Sequence, residues 1–130
     1  MSDNPRQPAV FMPTPIERIL REMNQAGQFP ASLLTSAEGL PIATDPATCD
    51  GDTTAAMVAL VQRASSDAQS QLGMSDVDEV TIRDRDRIRL VCRYIPVGSE
   101  RLILVAMVPP GCSYRRVTNL TVRRIRRLLS

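Results

Sequence analysis

Apolar residues recur along the chain with two periods, and together these predict eight elements. Ile16, Ile19, Leu20 and Met23 stand at i, i+3, i+4 and i+7, the stripe of an amphipathic helix. Thr14 before Pro15, with Glu17 at the capping-box position, marks its start, and Gly27 marks its end. Residues 31–35 and 40–43 flank the polar turn Ser36, Ala37, Glu38, Gly39 and read as a hairpin. Pro41 lacks a backbone N–H, which places the second of these strands at a sheet edge. After a loop over 44–51, Asp52 is suited to cap a long helix from Thr53 to about Leu72, closed by Gly73.

That helix has two faces at 3.6 residues per turn. Met57, Leu60, Val61, Ala64, Ala68 and Leu72 form an apolar face expected to lie on the sheet. The opposite face carries Ala55, Ala59, Ser66 and Ser70, with Arg63 as its one long side chain. Small residues let a second helix approach closely, most simply a second copy of this one; the alternative is an exposed face built from good helix formers.

Three strands follow, over 79–83, 88–95 and 101–108. Val80 and Ile82 alternate with polar residues, as in a strand covered on one face. Residues 102–107 are apolar on both faces, so the last strand is central and covered on both sides. Pro109, Pro110 and Gly111 end it, and Ser113 is placed to cap a final helix. Tyr114, Val117, Thr121, Ile125 and Leu128 would line the inner side of that helix, with Arg115, Arg116, Arg123, Arg126 and Arg127 outside. The expected architecture is α+β, a three-layer α/β/α sandwich around a five-stranded antiparallel sheet. The first and last helices cover one face and the long helix the other. Residues 14–130 form this one domain, and residues 1–13, with Pro5, Pro8 and Pro13 among polar residues, read as a disordered arm.

Composition narrows the function. The 130 residues include no His, Trp or Lys, so all sixteen basic residues are Arg. This removes imidazole bases, His-ligated metals, Schiff-base lysines and the phosphate-loop lysine, and a self-sufficient enzyme is not expected. No catalytic, cofactor-binding or metal-binding residue is assigned. Cys49, Cys92 and Cys112 are an odd number without a CxxC, which fits plain thiols in a reducing cytoplasm. Neither an export signal nor an apolar run long enough to span a membrane is visible.

Charge is unevenly placed. Residues 1–100 hold nine Arg against fourteen acids, net −5, whereas 101–130 hold seven Arg and no acid, net +7. Nucleic acid, anionic lipid and an acidic protein surface all fit such asymmetry, and composition does not choose among them. Arg83, Arg85, Arg87, Arg89 and Arg93 extend the basic content, but Asp84 and Asp86 interleave them and aromatics for stacking are only 3% of the chain, so nucleic acid is not the expected partner. Asp50, Gly51 and Asp52 lack the further oxygen ligands of a calcium loop, and Asp76, Asp78 and Glu79 read as a solvated turn and strand start rather than a metal site.

The run from Ala31 through Ser32, Leu33, Leu34, Thr35, Ser36, Ala37, Glu38, Gly39, Leu40, Pro41 and Ile42 to Ala43 resembles the first hairpin of the roadblock/LC7 family. The likeness continues through the small-residue helix and through Ile95, Pro96, Val97, Gly98 into residues 102–107, and covers roughly 14–130. Phe29 and Pro30 depart from it, standing where many members carry Gly before the first strand. The resemblance implies a homodimer with antiparallel long helices and adjoining third strands, giving Ala55, Ala59, Ser66 and Ser70 the role of an interface. It also implies a non-catalytic, cofactor-free partner of a Ras-like small GTPase, as in bacterial and archaeal members such as those of the gliding-motility polarity switch. The docking platform would then be the paired helices, at Arg63, Ala56 and Asp67. The alternatives are a passive dimerisation scaffold for a signalling or motor complex, and a ligand-sensing domain of similar architecture.

Overall fold

The computed structural model describes residues 13–47 and 51–130. The N-terminal arm up to residue 12, Cys49 and Asp50 lie outside them. The elements run α1 (Pro15–Gly27), β1 (Ala31–Ser36), β2 (Pro41–Asp45), α2 (Gly51–Leu72), β3 (Glu79–Arg83), β4 (Arg89–Val97), β5 (Glu100–Val108) and α3 (Arg115–Leu129). All five strands form one antiparallel sheet in the order β2-β1-β5-β4-β3. The two-faced apolar strand β5 is thus central, and the proline-bearing β2 is at an edge, as their sequences require.

Two cores lie on opposite faces of the sheet. Beneath α1 and α3, Ile19, Leu20, Met23 and Ile125 pack on Leu34, Val91, Ile95, Leu104 and Val108. Beneath α2, Val58 and Val61 pack on Cys92, Tyr94, Ile103 and Val105. The small aromatic content leaves both cores almost wholly aliphatic, and residues 102–106 are buried throughout.

Helix ends follow the sequence with three differences. Thr14 caps α1: its hydroxyl accepts from the Glu17 N–H at 3.1 Å, and Glu17 accepts from the Thr14 N–H at 2.9 Å. The C-terminal turn is closed by Gln28 in the left-handed region, not by Gly27. Gly27 is there for space, since a Cβ would run into the buried Phe29 ring. In α2 the helix begins at Gly51, so Asp52 sits in the first turn, where its charge favours the helix dipole. Tyr114, not Ser113, occupies the N-cap of α3, without a side-chain cap. Thr118 and Thr121 instead return their hydroxyls to the carbonyls of Tyr114 and Val117.

Candidate functional site

The orientation of α2 decides which of its residues are available. Its buried positions are Thr54, Val58, Val61 and Ser65, again at helical spacing. The expected sheet-facing Leu60, Ala64 and Leu72 are exposed, and the helix is turned by roughly 60° from the sequence-based phase. The cause is polar. Tyr94 is buried under α2, and its hydroxyl meets Ser65 Oγ at 2.7 Å and donates to Gln62 Oε1 at 2.6 Å. Gln62 Nε2 donates in turn to the Ala37 carbonyl in the first hairpin turn, at 3.1 Å. A buried tyrosine hydroxyl needs partners, and only this rotation brings Ser65 and Gln62 to it. Arg101 stacks over the Tyr94 ring at 3.8 Å to its centroid and donates to the Val77 carbonyl. Tyr94→Phe should therefore lower stability by about 1–2 kcal/mol. Combining it with Ser65→Ala should cost less than the two separate losses, read by urea denaturation of the four proteins.

The hairpin turn fixes one flank of α2. Ser36 Oγ accepts from the N–H groups of Glu38 and Leu40, and Gly39 at φ +93 brings the turn against Ala55. Ser66 and Ser70 border an open polar depression shared with Arg101 on this same flank. The other flank faces a shelf of sheet that α2 leaves uncovered. There Ile82, Leu90 and Met107 form one cross-strand row, on the face to which Val80, Cys92 and Val105 also point. Ile82 is 45% exposed and Met107 36%, and Leu60 on the helix beside them is 60% exposed. β3, which pairs only with β4, forms the edge of this shelf.

The seven surface residues picked from the sequence are all exposed, but they do not share one direction. Ala55 and Ser66 turn towards the hairpin and Arg101. Ala56, Arg63 and Asp67 point straight away from the sheet, opposite Val58 and Val61, with Ala59 and Ser70 beside them. Arg63 and Asp67 pair at 3.9 Å across one turn, an exposed i,i+4 ion pair worth a few tenths of a kcal/mol at most. Leu60, Ile82 and Met107 lie on the surface although apolar residues at regular spacing or in an unbroken run predict core. The Tyr94 hydroxyl, which needs polar partners on the helix above it, is the available signal.

Titratable groups elsewhere are structurally committed. Burial by itself raises the Glu79 pKa, but hydrogen bonds from Thr81 at 2.6 Å and Tyr114 at 2.7 Å, with the guanidinium groups of Arg115 and Arg93, outweigh it. The carboxyl is held below the ordinary range. Arg93 also donates to Thr118 Oγ1 and Asn119 Oδ1, so this cluster fastens the edge of the sheet to α3. Arg89 donates to the carbonyls of Pro109 and Cys112. Burial, with the Glu79 charge behind it, pushes the Cys92 thiol up to about 12, which keeps it protonated and unreactive near neutral pH. Among the described residues no group of acids or cysteines could hold a metal ion, and no helix is long and apolar enough to cross a membrane.

Comparison with solved structures gives the same fold in three settings. MglB of Myxococcus xanthus is 14% identical, covering 88% of this chain and 94% of that one, with a TM-score of 0.74. The gliding protein MglB of Thermus thermophilus is also 14% identical, with 88% and 87% covered and a TM-score of 0.67. Profilin IB of Acanthamoeba castellanii, 14% identical with 86% and 97% covered, has a TM-score of 0.55. No curated protein sequence matches the chain. The Roadblock/LC7 domain model matches residues 15–105, from α1 through the first hairpin and the long helix into the central strand, and the chain belongs to the Roadblock/LC7 domain family.

Proposed function

We propose that the protein is a cytoplasmic, non-catalytic homodimer that regulates a Ras-like small GTPase, binding it on the paired α2 helices. The observation that carries this reading is the combination on one face of an apolar shelf and an exposed helix crest beside it. Leu60 and the row of Ile82, Leu90 and Met107 form an exposed apolar surface beside α2, with the free edge of β3 at its margin. A second copy of α2 laid along Leu60 would cover it, with the small, exposed Ala64 on the same flank allowing close approach and the two β3 edges adjoining. Ala55, Ala59, Ser66 and Ser70 lie on the hairpin side of the crest, outside this contact. The crest residues Ala56, Arg63 and Asp67 then point outward from both copies as one platform.

The mechanism is conformational. A dimer with higher affinity for one arrangement of the GTPase switch segments stabilises that arrangement, and its effect on the nucleotide cycle is set by that difference in affinity. Arg63 acts in docking; its ion pair with Asp67 on an open helix face gives it no preorganised position for a phosphate. Affinity purification of the tagged protein from its native cells, with GDP and separately with a non-hydrolysable GTP analogue, should recover a small GTPase in one nucleotide state and not the other. Equal recovery of partners in both states would replace this reading with the passive scaffold.

A further inference from the structure

The outer layer formed by α1 and α3 carries most of the unbalanced positive charge. On α3 the buried positions Thr118, Thr121 and Ile125 fix the helix phase. Directly opposite them run Arg116, Leu120, Arg123 and Arg127, at i, i+4, i+7 and i+11, a straight stripe about 16 Å long. All four are exposed. Arg124 pairs with Glu22 at 2.8 Å and Arg115 with Glu79 at 3.6 Å, but among the described residues Arg116, Arg123 and Arg127 meet no carboxylate. The two acids of α1 are already engaged, Glu17 in the capping box and Glu22 with Arg124. In the centre of the stripe Leu120 is 50% exposed.

We propose that this layer is a membrane-surface site, with the α3 stripe lying on an anionic phospholipid bilayer. The guanidinium groups meet lipid phosphates, and Leu120 enters the headgroup boundary between them. The exposed Leu120 favours a bilayer over a nucleic acid: it offers nothing to a phosphate backbone, and α3 has no aromatic side chain on which a base could stack. The opposite side of the molecule carries Asp52 and Asp76, with Asp67 balanced by Arg63, and so lacks the basic excess of the α3 layer. An anionic surface would therefore steer the α3 layer towards itself and leave the α2 crest facing away. The site does not depend on the GTPase reading, and its test contains no GTPase.

The full-length protein is floated with phosphatidylcholine vesicles, with and without phosphatidylglycerol. The wild type should float with the anionic vesicles alone, and lose them as salt is raised. Replacing all three stripe arginines, Arg116→Gln, Arg123→Gln and Arg127→Gln, should weaken binding about 100-fold. Leu120→Gln should weaken vesicle binding while leaving retention on heparin unchanged. These positions are exposed, and unchanged thermal melting confirms that each variant is folded. No flotation with anionic vesicles, equal flotation with neutral ones, full binding by the triple variant, or tighter binding to duplex DNA than to vesicles of equal phosphate concentration would each overturn the proposal.

Discussion

Gly39→Val is expected to lower unfolding stability by roughly 3–5 kcal/mol. Two costs add. Gly39 has φ +93, a backbone conformation that a β-branched residue rarely adopts. Its missing Cβ would also lie 2.9 Å from the Ala55 Cα and 3.5 Å from the Val58 Cβ. The nearest of these atoms is helix backbone, so the strain is relieved only by lifting α2 away from the hairpin, which breaks the hydrogen bond from Gln62 to the Ala37 carbonyl. Gly98 supplies the control: it also has positive φ, at +61, but nothing lies within 4 Å of the Cβ position. Gly98→Ala should therefore cost only about 1 kcal/mol, and Gly39→Ala distinctly more. Equal midpoints for the two alanine variants in urea would mean that the turn does not bear on α2.

Glu79→Gln is expected to cost about 2–4 kcal/mol at neutral pH, because it leaves the largely buried Arg93 guanidinium without its counter-charge. The pH dependence identifies the cause. Burial opposes ionisation of Glu79, but the hydrogen bonds from Thr81 and Tyr114 and the two guanidinium groups prevail, so its folded pKa is below that of the unfolded chain. A depressed carboxyl pKa contributes stability that is fully present above the unfolded value of about 4.3 and is lost as pH falls through the folded value. The difference between wild type and variant should accordingly be constant from about pH 5 to 8 and shrink below about pH 4. A difference that stays the same down to pH 2.5 would assign the loss to packing, not to charge.

The parts of the fold that were legible in the sequence are those in which a residue has one structural use. Thr14, Pro15 and Glu17 together specify a helix start, and their bonds form as the pattern requires. Residues 102–106 are apolar without alternation, as a strand covered on both faces accommodates, and β5 is central. Pro41 removes a donor and stands at the edge. The phase of α2 was not legible, because its alanines and serines suit either a surface or a close contact, and a leucine step on the helix outranked Ser65 on apolarity alone. What settled the phase is a demand from elsewhere in the chain, the buried hydroxyl of Tyr94. The same error hid the shelf: Ile82 alternates as a covered residue should, but the helix meant to cover it lies over the adjacent rows of the sheet. Gly27 shows a third limit, since a glycine at a helix end reads as a cap whether it supplies the left-handed turn or, as here, room for Phe29.

The pairing of α2 helices along the shelf is the step on which the docking platform rests, and sedimentation velocity of the wild type beside Leu60→Glu tests it most directly. Leu60 is 60% exposed, so the substitution should leave the thermal unfolding of a single copy almost unchanged. At micromolar concentration the wild type should sediment as a species of twice the chain mass and Leu60→Glu as a species of one chain mass. A wild type that sediments as a single chain, or a Leu60→Glu protein that remains paired, would contradict it.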